Sequence, residues 1–69
     1  MATWAEKDVL IELISYVVAV TARDIDCDNP DVVELLQLKH ELYCMSPEEI
    51  EYQKEVQFIK DKQAKLEGI

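Results

Sequence analysis

Val9-Leu10-Ile11-Glu12-Leu13-Ile14-Ser15-Tyr16-Val17-Val18-Ala19-Val20 is the stretch on which the fold turns. Laid on a helix, its only continuous polar track is Asp8, Glu12, Ser15, Ala19 and Arg23. At 100° per residue that track covers about a quarter of the circumference, leaving about three quarters to be buried against something. One small partner layer cannot cover so much. The run therefore predicts self-association, or docking on a larger partner.

The punctuation around this run divides the chain. Thr3-Trp4-Ala5-Glu6 fits a capping box, in which hydroxyl and carboxylate each satisfy the other residue's amide, so helix 1 is expected to start at Trp4. It is expected to reach Arg23, whose cation suits the negative end of the helix dipole. Asp24-Ile25-Asp26-Cys27-Asp28-Asn29 breaks it, because short polar side chains compete for backbone amides. Pro30 suits the first turn of helix 2, with Asp28 or Asn29 as cap. Helix 2 is expected to bury Val32, Leu35, Leu36, Leu38, Leu42 and Tyr43 or Met45. Ser46-Pro47-Glu48-Glu49 is a second start signal, placing helix 3 from Pro47 after either a tight reversal or a sharp bend. Tyr52, Val56, Ile59, Gln63 and Leu66 recur at alternating spacings of 4 and 3, a coiled-coil-like seam with one polar seat, and Phe58 widens it. Gly68 can stop the helix.

The 69 residues fit one domain, and a domain this small buries only about 60% of its unfolded surface. Roughly half the residues are apolar, with one Gly and two Pro, which argues for an ordered, helical chain. The apolar run is interrupted by Glu12 and is too short for a membrane span, which takes about 20 residues. No basic leader precedes it, so a cytoplasmic setting with reduced thiols is expected.

Charge is the second signal. Asp24, Asp26, Asp28, Asp31, Glu34, Glu41, Glu48, Glu49 and Glu51 face a single base, Lys39, between residues 24 and 51. That tract carries −8, the net charge of the whole chain, so the flanks cancel. Such a field repels nucleic acid and anionic membrane and attracts basic surfaces. Two readings follow. The acids keep a sticky helical protein soluble and start its helices; or they engage a basic protein, even its nucleic-acid site, since carboxylates along helices can imitate a phosphate row.

Chemistry-bearing patterns are sparse. Asp24, Asp26 and Asp28 have the spacing that opens an EF-hand loop, but Asn29 stands where the loop needs Gly and Leu35 where it needs Glu. Cys27, His40 and Cys44 are a weak metal candidate, because His40 and Cys44 share a helix face but Cys27 stands alone at its end. Otherwise Cys44 is a small core residue, Cys27 a loop residue and His40 a rim residue. A Cys27–Cys44 disulfide would close 16 intervening residues and is expected in cytosol only as an oxidation product. No oxyanion hole accompanies Cys44 and His40, no glycine-rich phosphate loop exists, and the carboxylates lie on solvated helix ends. Neither catalysis nor a cofactor is expected.

The expected architecture is all-α: a three-helix unit (about 4–23, 30–45 and 47–67) completed by homodimerisation. Trp4, Ile11, Ile14, Val17, Val18, Tyr52, Val56 and Ile59 are the candidate oligomer interface, and the nine acids the candidate partner surface. The expected role is a non-enzymatic module that binds and inhibits a basic protein, with a self-assembling adaptor as the alternative. In size and charge the chain is similar to the compact acidic proteins with which phages and other mobile elements block host factors; no motif carries that likeness.

Overall fold

The computed structural model describes residues 2–68. Helix α1 spans Trp4–Tyr16 and runs directly into a π-helical stretch, Val17–Thr21. Helix α2 spans Pro30–Cys44 and α3 spans Tyr52–Glu67, with one 3-10 turn, Pro47–Glu49, between them. No strand occurs among the described residues, and none of their helices is long and apolar enough to cross a membrane.

Local chemistry sets two of the three starts. The Thr3 hydroxyl accepts from the Glu6 amide at 3.1 Å while the Glu6 carboxylate accepts from the Thr3 amide at 2.9 Å, which closes the expected capping box. Asn29, rather than Asp28, caps α2: its side-chain oxygen accepts from the Asp31 amide at 2.9 Å, and Pro30 occupies the first turn.

The third start differs from expectation. Pro47 opens only a single 3-10 turn, and α3 begins at Tyr52 instead of Pro47. The Ser46 hydroxyl caps no amide; it donates to the Glu49 carboxylate at 3.3 Å. Ile50 takes an extended conformation (φ −94°, ψ 130°) and drops into the core, fully buried. Burying such a side chain is worth about 2 kcal/mol, more than a short helical extension offers. The turn is thus the tight reversal rather than the bend.

The end of helix 1 also moves. The π-helical stretch closes with the Ala22 amide donating five residues back to the Val17 carbonyl at 3.0 Å, so the helix ends at Thr21 and not Arg23. Each wide turn takes up an extra residue and re-phases the face, so that Val17 and Ala22 are both buried.

The helices alternate in direction. Lys7, near the start of α1, reaches the end of α2, where its ammonium donates to the Met45 carbonyl at 2.8 Å. Lys62, near the end of α3, pairs with Asp31 and Glu34 in the first half of α2. Both pairs require antiparallel neighbours. Leu10, Ile14 and Val17 from α1, Leu35 and Leu42 from α2, Ile59 and Leu66 from α3, and Ile50 from the turn form the fully buried centre.

The seam on α3, expected to meet a second copy through Tyr52, Val56 and Ile59, instead faces the chain's own core, with Ile59 and Leu66 buried and Tyr52, Val56 and Gln63 half-buried. On α2, Val32, Leu35 and Leu42 are buried and Leu38 half-buried; of Tyr43 and Met45 it is Met45, just past the helix, that packs on the core, while Leu36 and Cys44 are exposed, contrary to expectation. Leu36 and Tyr43 follow Leu35 and Leu42 by one residue, a rotation of about 100°, and Cys44 follows Leu42 by two, about 200°, which carries these side chains off the core face.

Candidate functional site

The tract that is continuous in sequence is divided by the fold. Asp24, Asp26 and Asp28 lie exposed in the loop before α2, and Glu48, Glu49 and Glu51 lie exposed after it. Fifteen helical residues separate the two groups by about 20 Å. Between them Asp31, Glu34 and Glu41 lie along α2 itself, the first half-buried and the other two exposed.

Two of the nine acids share one cation within the chain. Lys62 Nζ lies 3.0 Å from Asp31 Oδ1, also pairs with Glu34, and sits 5.4 Å from the centre of the Phe58 ring. These carboxylates, Glu34 foremost, hold the lysine's pKa above its ordinary value despite some desolvation. They are the ion pairs among the described residues, leaving the other seven acids without such a partner.

A groove of about 310 Å³ runs between α2 and α3, lined by Glu34, Gln37, Leu38 and Glu41 on one side and Lys54, Glu55 and Phe58 on the other. Glu34 on the α2 wall pairs with Lys62 of α3, and Glu41 and Glu55 on opposite walls are close enough to repel. Partial burial raises the Glu55 carboxyl pKa; Lys54 pulls it down, while Glu41 and Glu51 push it up. Glu55 lies in the first turn of α3, where an acid suits the helix dipole whatever it faces, so the residue type alone does not reveal its place in the groove. The signal available was the heptad phase of α3, which puts Glu55, Phe58 and Lys62 along one edge of the seam.

The metal candidates are not brought together. Cys27 lies before the start of α2 and Cys44 at its end, both free and exposed, and His40 is exposed on the helix between them. That separation excludes a disulfide, whose Cα atoms must approach within about 7 Å. Potential ligand atoms of Asp26, Cys27 and Asp28 do lie within 4.8 Å of one another. All three residues are solvated, and the loop is already organised by the Asp28 amide donating to the Asp26 carboxylate at 3.0 Å. Nothing further there indicates a ligand.

Of the candidate oligomer residues, Ile14, Val17 and Ile59 are fully buried within the chain, and Ile11, Val18, Tyr52 and Val56 are half-buried against its core. Only Trp4 among them stands well exposed, at 69%. The apolar surface that α1 leaves open is instead Val9, Tyr16 and Val20 on one stripe, with half-buried Leu13 between them. These residues follow one another at spacings of 4, 3 and 4.

No protein-family model, curated protein or solved structure matches this chain.

Proposed function

We propose that this protein is a non-enzymatic acidic module that docks on a basic protein surface and, where that surface binds nucleic acid, inhibits it by occupying the site. The observation that carries the reading is the set of seven carboxylates that have no ion pair among the described residues, displayed along and at both ends of α2. A surface whose charge served only to start helices would need the acids at helix starts alone, whereas Glu41 stands late in α2 and Asp24 and Asp26 lie outside any helix. The inferred setting is cytoplasmic, where the exposed thiols of Cys27 and Cys44 stay reduced.

The test is a nuclease-treated pull-down with tagged protein, eluted by rising salt. A basic nucleic-acid-binding protein that leaves at moderate salt and is displaced by added DNA or RNA supports the reading. The triple change Asp24→Asn, Asp26→Asn, Asp28→Asn combined with Glu48→Gln and Glu49→Gln should then weaken capture without altering the helical spectrum. Capture indifferent to salt and to these changes refutes it.

A second reading, homodimerisation, is favoured by the open stripe of α1. Its spacings are those of a coiled-coil seam. Sedimentation should show a dimer that Tyr16→Asp and Val20→Asp convert to folded monomer. Ile14 and Val17 are unsuitable probes, because a charge there would break the core of the chain itself. A wild-type monomer at high concentration excludes this reading.

A further inference from the structure

The register across the α2–α3 groove contains one mismatched rung. At the first, Glu34 meets Lys62, an acid against a base that Asp31 also shares. At the second, Leu38 and Phe58 line the groove from opposite helices. At the third, Glu41 stands across from Glu55, an acid against an acid. Lys54 lies on the same wall and is the strongest single charge acting on Glu55, ahead of Glu41, but it closes no ion pair with either carboxylate, so the two acids and one cation leave this rung net negative. Like charges in register destabilise a helix pair, and water screens them less when one is partly buried.

The first rung shows what complements such a rung. There the Lys62 ammonium sits between two carboxylates, with the Phe58 ring beneath it at 5.4 Å. The groove beside it offers comparable parts in another arrangement: two carboxylates, here one from each helix, Phe58 and Leu38 for an alkyl stem, and Gln37 for an additional polar contact. The groove's 310 Å³ is the volume of about ten waters, room for one extended side chain.

We propose that this groove is a receptor for a lysine or arginine side chain of a basic protein partner, its cation between Glu41 and Glu55 and its methylene stem on Leu38 and Phe58. The inference rests on the acidic-module reading and specifies where on the acidic surface the decisive contact is made. A cation supplied in trans does at the third rung what Lys62 does at the first. Charge complementarity selects the occupant: a second copy of this chain, with its net charge of −8, would carry mostly the wrong sign to the site.

The experiment uses hexa-arginine peptide, with hexa-citrulline as a neutral control of nearly the same shape, titrated at low ionic strength into isotope-labelled protein. Amide shifts should concentrate on Leu38, Glu41, Glu55 and Phe58. Glu41→Gln combined with Glu55→Gln should weaken hexa-arginine binding about tenfold, the effect of losing one charge-assisted hydrogen bond. The loop change Asp24→Asn, Asp26→Asn, Asp28→Asn should leave it within about twofold, the smaller effect of screened surface charge. Glu41 is exposed, so Glu41→Gln alone provides a variant whose folding is not in question. Loss of binding in the loop variant, with none in the groove variants, overturns the inference and leaves the acidic-module reading standing. Equal response to hexa-arginine and hexa-citrulline, or no response to either, overturns both.

Discussion

The two ends of α2 are each held by a lysine from a neighbouring helix, and the two lysines work by different physics. At the C-terminal end Lys7 is buried, 8% exposed, and donates a hydrogen bond to the Met45 carbonyl while lying 5.2 Å from the centre of the Trp4 ring. It satisfies a carbonyl at the negative pole of the helix dipole. At the N-terminal end Lys62 meets two carboxylates at a more open site, where one of its partners, Glu34, is 48% exposed. The first contact is short-ranged and sheltered; the second is an ion pair open to salt and pH. The difference teaches that this chain spends one cation on its own stability and one on balancing charge, which leaves few for the remaining acids.

Four changes probe that contrast. Between the two ends, Leu35→Ala should cost most, about 3 kcal/mol by cavity formation, and should lower the melting temperature reported from both ends of α2 together. Lys7→Ala should cost about 2 kcal/mol through the lost bond and the lost stem packing, and the deficit should persist in high salt. Lys62→Met should cost less than about 1 kcal/mol, and denaturation at high salt should erase most of the difference. Its pH dependence has a definite sign. Because the folded-state pKa of Lys62 is raised, its contribution is complete below the ordinary lysine value of 10.5 and is lost as pH climbs through the raised one. Wild type and Lys62→Met should converge there.

The smallest effect should come from Glu55→Gln, and it should be stabilising. A carboxyl whose pKa is raised on folding penalises the folded state when ionised, so stability falls as pH rises through the unfolded and then the folded value. The variant should melt slightly higher than wild type at neutral pH and lose that advantage in mild acid. A destabilised Glu55→Gln at neutral pH would show that the third rung of the groove is already compensated within the chain.

Much of the fold is legible because its signals are local. The Thr3 box involves residues three apart, and Pro30 with Asn29 needs only one turn to declare itself. Ser46-Pro47-Glu48-Glu49 carries an equally good signal, yet the chain leaves helical geometry at Ile50 because a distant core takes that side chain. The same competition explains Leu36 and Tyr43, which periodicity alone could not separate from their buried neighbours in so apolar a helix. The acids were all visible in sequence. That Lys62 would pair with two of them, and that Glu41 would face Glu55, depends on a register set by packing across separations of 14 to 31 residues.

Composition and period by themselves determined an all-helical chain, the location of two helix starts, an apolar seam on α3 and a concentrated negative tract. These follow from interactions within one or two helical turns and from charge, which no fold can remove. The tertiary structure alone decided the π-helical re-phasing at Val17–Thr21, the late start of α3, the burial of Lys7, and the division of one acidic tract into two poles and a groove. Each of these is a compromise between a local preference and the burial of apolar surface contributed by another helix, and that surface has no position until the three helices have met.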